Sequence, residues 1–307
     1  MINFRYHVVS LVAVFLALAV GVVLGASILG QGINDQIITQ ASNDRKALED
    51  LRALQGQQQN LDRYRDAYDQ QMGAKLAANL LAGERVAIVV MPDTPRSVVS
   101  PIIKQVATAG GVVTTTVTVA AKAFDPDQQA PLAKALDGLP GVPGADVAPP
   151  DRFGAALSRA LVSTSPEPSD DGAKQILTRL RQEGFVTAAS TEVPRTTLLI
   201  VVSAPVDPDR PVPSAQIQDH LSFDLALARQ TVGTVVAGAN STGITNSDVA
   251  AVRASSSAAQ AMSTVDVADL PSGVTTVMLS LVEEIRGAKG HYGAAPSSDA
   301  PAPKLIS

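Results

Sequence analysis

The sequence predicts an α/β protein, in which an N-terminal transmembrane helix and a coiled-coil helix precede an open, mostly parallel sheet sandwiched by helices. Three observations predict it. Val8 to Leu29 carries no charge, Ile33 to Leu81 is polar and free of proline, and from Glu84 onward β-branched runs alternate with amphipathic stretches. Composition agrees, since 46% hydrophobic against 17% charged residues in 307 belongs to a folded chain. With 3% aromatics and no Trp, its core must be built from small and β-branched side chains. A net charge of −5 offers no broad basic field for nucleic acid. The absence of Cys excludes disulfides, thiolate metal sites and a Cys nucleophile.

The apolar stretch 8–29 would form a helix roughly 33 Å long, enough for a hydrocarbon core of about 30 Å. The competing reading is a cleaved secretory signal, because the stretch ends in Gly25, Ala26 and Ser27. Its length exceeds the usual apolar region of such signals, roughly 7–15 residues, so an uncleaved anchor is expected. Arg5 precedes the span and the first charge after it is Asp35, which places residues 1–7 in the cytoplasm and the rest outside. Gly21 and Gly25 form a GxxxG, a spacing that lets a second helix approach closely or arises by chance.

Residues 33–82 read as a helix interrupted only by Gly56 and Gly73. With Leu51 at heptad position a, the seam runs through Leu51, Leu54, Leu61, Tyr68 and Met72, with the polar Gln58 and Arg65 also at a. Polar a positions lower stability but select partner and register. The expectation is pairing with a second copy or with an envelope protein. The alternative is an amphipathic helix folded back on the globular domain.

The α/β domain is expected over residues 84–293. Val86 to Val90 is a continuous apolar run, as in a strand buried on both faces. Ser97 to Ala109 has helical periodicity and stops at Gly110-Gly111, and Val112 to Val119 alternates Val and Thr. Helices at 173–183, 214–230 and 275–286 and strands at 198–202 and 232–237 continue the pattern, while 249–251 begins a short helix or strand. Prolines interrupt 120–171, which reads as a surface excursion. Residues 294–307 are rich in Pro and Ser and read as a disordered tail.

Chemistry is sparse. No GxGxxG or GxxxxGK[ST] is present, and prolines occupy the turn Met91-Pro92-Asp93-Thr94-Pro95 where a phosphate cradle needs glycines. The turn Ala237 to Gly243 follows a parallel strand, where ligands bind, but its small residues also serve conformation alone. Ser203, His220 and Asp224 make a hydrolase triad on paper without a GxSxG to support it. Asp207 and Asp209 read as turn residues, and Met91 and Met278 as core. No enzyme, cofactor or high-affinity metal site is expected, and His220 and His291 are the only candidate metal ligands outside the membrane.

One stretch carries a resemblance. Asn3-Phe4-Arg5-Tyr6-His7-Val8-Val9-Ser10, continuing through Gly21-Val22-Val23-Leu24-Gly25, resembles the opening of the actinobacterial copper transporter family typified by MctB. Ser263-Thr264-Val265-Asp266 and Gly290-His291-Tyr292-Gly293 match as well. The resemblance implies an envelope protein of copper export or homeostasis, with an outer-membrane location in mycobacteria. A corynebacterial relative, SteB, implies a different class, a single-pass scaffold regulating peptidoglycan hydrolysis at division. Copper enters through the resemblance alone. A single helix encloses no pore, so conduction would require an oligomer.

Overall fold

The computed structural model describes residues 4–240 and 245–304, with side chains described throughout except at residues 4 and 26–38. The chain divides into two units, Met1–Tyr64 and Arg65–Ser307. Helix α1 runs Phe4–Ala77. The apolar stretch continues into the polar one as a single helix, because a helical glycine costs only about 1 kcal/mol and Gly30 and Gly32 do not stop it. Within the first unit, Arg5–Gly25 is long and apolar enough to cross a membrane, with mean hydropathy 2.8 and no buried residue. Leu51, Leu54 and Leu61 are each more than half exposed.

In the second unit α1 ends five residues before the expected Ala82. Asn79 and Gly83 take left-handed conformations (φ 64° and 81°) that turn the chain into the sheet. Leu81 is buried there, its amide donating to the Ala109 carbonyl at 2.9 Å. Gly73 is required by contact rather than flexibility, since a Cβ would lie 2.2 Å from Thr275 Oγ1.

The sheet has seven strands among the described residues: β1 (Arg85–Val90), β2 (Val112–Val119), β3 (Val186–Ala188), β4 (Leu198–Val202), β5 (Gly233–Ala237), β6 (Ser263–Val265) and β7 (His291–Tyr292). Their order is β3-β2-β1-β4-β5-β6-β7, and only β2–β3 is antiparallel. Alternate residues of β1 enter opposite cores. Val86, Ile88 and Val90 pack with α2 (Arg96–Thr108), α9 (Pro271–Ile285), Ala77 and Leu81. Ala87, Val89 and Met91 face α3 (Gln129–Leu136), α4 (Pro149–Leu161), α5 (Asp171–Gln182) and α6 (Ser214–Ala228). The short α7 (Asp248–Ala254) and α8 (Ser256–Ala261) complete that layer. Met91 and Met278 are core residues on opposite faces, as their apolar neighbours suggest.

Residues 120–171 are not a surface excursion. Pro149 stands at the start of α4, where a missing amide costs nothing, and the helix then buries Phe153, Ala156, Leu157, Ala160 and Leu161 at helical spacing. Gly154 permits the α4–α6 approach, since a Cβ there would meet the Phe223 carbonyl oxygen at 2.3 Å. The tail differs as well. Residues 294–304 are tied to the sheet, with Ala300 bridged to Tyr292 and the amide of Ala294 donating to Asp266 at 2.8 Å. Residues 305–307 lie outside the described residues. Composition alone suggested disorder because the partner carboxylate is distant in sequence.

Candidate functional site

From β1 the chain moves to β2 on one side, and from β4 to β5 on the other. A doubly wound sheet opens a crevice at such a reversal, outside the carboxyl ends of the two central strands. A crevice of about 360 Å³ lies there, bounded by the segments after β1 and β4 and by the starts of α6 and α7. Thr94 Oγ1 joins the two exit loops by donating to the carbonyls of Met91 (2.8 Å) and Val202 (3.1 Å). Asp93 sits at φ 60°, a conformation Asp tolerates better than most residues. The prolines that exclude a phosphate cradle instead stiffen these loops.

His220 reaches this crevice from α6 and is 6% exposed. Its Nδ1 lies 2.8 Å from Asp248 Oδ1 at the start of α7. An ionised carboxylate only accepts, so Nδ1 carries the donated proton and Nε2 of a neutral ring is a lone-pair acceptor. Nε2 is buried without a protein partner. The Phe124 ring stands edge-on to the imidazole at 4.3 Å between centroids, fixing its plane. One turn along α6, Asp224 is fully buried with neither carboxylate oxygen hydrogen-bonded. Burial, reinforced by the Asp248 charge, pushes its carboxyl well above the usual range. At the rim, Asp207 accepts from the Asp209 amide (3.0 Å) and Arg210 Nε (3.0 Å), the turn role that its proline-rich context predicts.

The paper triad does not form. Ser203 Oγ is buried without a partner, Asp224 bonds to nothing, and His220 pairs with Asp248 instead. Of the turn after β5, Ala237 to Asn240 closes onto neighbouring strands and loops, with Gly238 N donating to Val265 O (2.8 Å) and Asn240 N to Asp269 Oδ1 (2.8 Å). Ser241 to Gly243 lie outside the described residues.

His291 stands elsewhere, on β7. Its Nδ1 is 3.0 Å from Thr264 Oγ1, and burial, with Arg253 adding to it against the Asp299 charge, holds its imidazole below the usual range. Beside it lies a dense polar cluster. Arg253 NH1 pairs with Asp266 Oδ2 at 2.7 Å, with side-chain exposures of 4% and 1%. Arg253 also reaches Thr264 Oγ1 (2.8 Å) and Tyr292 O (2.8 Å), while Asp266 accepts from Ala294 N and Ser298 Oγ. Gly293, at φ 138°, would place a Cβ 2.0 Å from Asp266 Oδ1. On β6, Ser263 donates from its amide and hydroxyl to buried Glu284, which also binds Lys289.

The structure therefore separates the two candidate ligands, His220 at the central crevice and His291 at the far end of the sheet. Among the described residues no three His, Asp or Glu side chains converge as a metal centre. Gly21 and Gly25 have open space where a Cβ would stand, and Met72 is half-buried. Sequence reading missed Asp248 and Arg253, and met Asp266 only as the end of the family-like stretch Ser263 to Asp266. Only Ser247-Asp248 ahead of an apolar run left a signal, that of a helix start, and Ser247 Oγ does cap Ala250 N at 3.2 Å.

A family model described as "Copper transport outer membrane protein, MctB" matches residues 1–303. The chain belongs to the MctB copper-transport family. It is 29% identical to the copper transporter MctB of Mycobacterium tuberculosis over 310 residues, covering 95% of this chain and 96% of the relative. It is 28% identical to the copper transporter MctB of Mycobacterium leprae over 316 residues, covering 95% of each. In this MctB-family chain, Ser263 to Asp266 and Gly290 to Gly293 form β6, β7 and the residues that fasten the C-terminal segment to them.

Proposed function

We propose that this chain is a membrane-anchored envelope protein of copper export or homeostasis, with copper as its cargo, acting without catalysis of its own. The observation that carries this reading is family membership along almost the whole chain, supported by an apolar helix at residues 5–25. A single helix encloses no pore, so passage of an ion through the membrane would need several copies arranged about their helices, with Gly21 and Gly25 as the close-approach face. The N-terminus would lie in the cytoplasm and the α/β unit outside it. A deletion strain tests the proposal: copper sensitivity and raised cell copper, restored by the intact gene, support it. Normal copper content and tolerance overturn it.

A second reading rests on the exposed seam Leu51, Leu54 and Leu61, a pattern suited to holding another helix. In it the chain is a scaffold controlling peptidoglycan hydrolysis at division. Replacing Leu54 and Leu61 together by Asp should then abolish capture of a defined envelope hydrolase or its regulator from membranes, with copper content unchanged.

A further inference from the structure

We infer that residues 47–61 of α1 pair with the same residues of a second copy of this chain, as a parallel, in-register coiled coil. The inference rests on the membrane anchor of the proposed function and names what covers the exposed seam.

The helix itself is the first ground. Every residue from 39 to 64 except Gly56 is exposed, including Leu51 (57%), Leu54 (61%) and Leu61 (51%). A helix in water owes most of its stability to a packed face, and this one carries a glycine between its leucines. The face on offer is the heptad seam of Ala47, Leu51, Leu54 and Leu61, with Gln58 at a.

Anchoring is the second, because it selects a second copy over any other occupant. Arg5–Gly25 and the seam belong to one unbroken helix, so two copies in one membrane run parallel and hold each residue at the same height. Every layer of the seam is then met by its own kind, leucine by leucine and Gln58 by Gln58. The Gln58 amide donates one hydrogen to Asp62 at 3.1 Å and keeps another hydrogen and its oxygen, which its counterpart complements. A partner of different sequence would have to supply an amide at that one level. About two heptads pair weakly between free helices, but copies held in one membrane meet at a high effective concentration.

Charge is the third. In a parallel pair, a g residue faces the e residue five positions further along the other helix. Asp50 therefore meets Gln55 and Gln57 meets Asp62, carboxylate against amide, with no like charges opposed. Arg45, Lys46, Glu49, Arg52 and Arg63 fall at b, c and f, away from the seam. Asp44 and Arg65, at a, would oppose like charges, and so bound the pairing at Ala47 and Leu61.

The chain has no Cys, so one introduced cysteine reports only on its own counterpart. Ala47→Cys and Gln58→Cys place it on the seam without removing a leucine, and Arg52→Cys and Gln59→Cys place it at b. Each full-length variant is reconstituted at high dilution into phosphatidylcholine vesicles, oxidised with diamide and separated by non-reducing electrophoresis. The expected result is at least tenfold more disulfide-linked dimer from the two seam positions than from the two b positions. Adding Leu54→Asp to Ala47→Cys should lower its yield tenfold, and adding Arg63→Gln should leave it unchanged. Equal yields at all four positions, no linkage at the seam, or seam linkage only in native membranes where other envelope proteins are present would overturn the inference. A copper phenotype in the deletion strain without seam linkage would leave the export reading standing and remove this one, whereas seam linkage with normal copper would do the reverse.

Discussion

Two buried polar clusters in the α/β unit use the same residue types in opposite ways. Around Arg253 and Asp266 the groups answer each other, the guanidinium bonding a carboxylate, a hydroxyl and a backbone carbonyl while Asp266 takes the amides and hydroxyl of the returning C-terminal segment. Around His220 and Asp224 the accounts stay open, with an imidazole nitrogen and both oxygens of a carboxyl lacking any protein partner. A saturated network fixes structure, whereas orphaned groups destabilise a fold and persist where something else can use them. The difference teaches that the residues most recognisable in sequence, those of β6 and β7, secure the sheet. The candidate site lies where the sequence offered only a lone histidine.

Breaking the saturated cluster should have the largest effect. Arg253→Met leaves the Asp266 carboxylate buried and unpaired, and should cost about 3–5 kcal/mol, read from thermal or urea unfolding of the full-length protein by circular dichroism. Stability within 1 kcal/mol of the parent would show that the network is not what secures this end of the sheet. Gly293→Ala attacks the same cluster through the backbone and should cost about 2 kcal/mol, because φ 138° disfavours a Cβ that would also strike Asp266.

The open cluster should respond with the opposite sign. The Asp224 carboxyl is raised in the folded state, so its contribution is favourable at acid pH and is lost as pH rises above the ordinary carboxylate range towards the folded value. Asp224→Asn should therefore stabilise the protein at neutral pH by about 2 kcal/mol, with the advantage vanishing near pH 4. A destabilised variant at neutral pH would mean that the carboxyl has a partner in the folded protein. The smallest effect concerns His291, whose imidazole is held below its usual range. Its stabilising contribution is present above the unfolded pKa of about 6.5 and is lost as pH falls from there towards the folded value. His291→Gln should remove a loss of up to about 1 kcal/mol between pH 7 and 5. An unchanged slope would assign that loss to other groups.

Periodicity made the parallel core legible. Val86 to Val90, Leu198 to Val202 and Gly233 to Ala237 are apolar because both of their faces are covered, and the structure pairs them side by side. The strands it did not reveal are β3, β6 and β7, two or three residues long and too short to show a period. Residues 120–171 misled because eight prolines outweighed a sound helical pattern from Phe153 to Leu161. Of the site, His220 was visible as a residue type. Its partner Asp248, 28 positions away, became its neighbour only because α6 and α7, the helices before and after β5, pack on the same face of the sheet.

The C-terminal segment also closes one border of the sheet. By returning to bridge Tyr292 through Ala300, it occupies the outer side of β7, and the opposite margin is a three-residue antiparallel strand. The β7 border offers no long row of free backbone groups to a strand from another chain, whereas at the other β3 covers only Val117 to Val119 of β2. Growth of the sheet from one molecule into the next is thereby hindered at the β7 end.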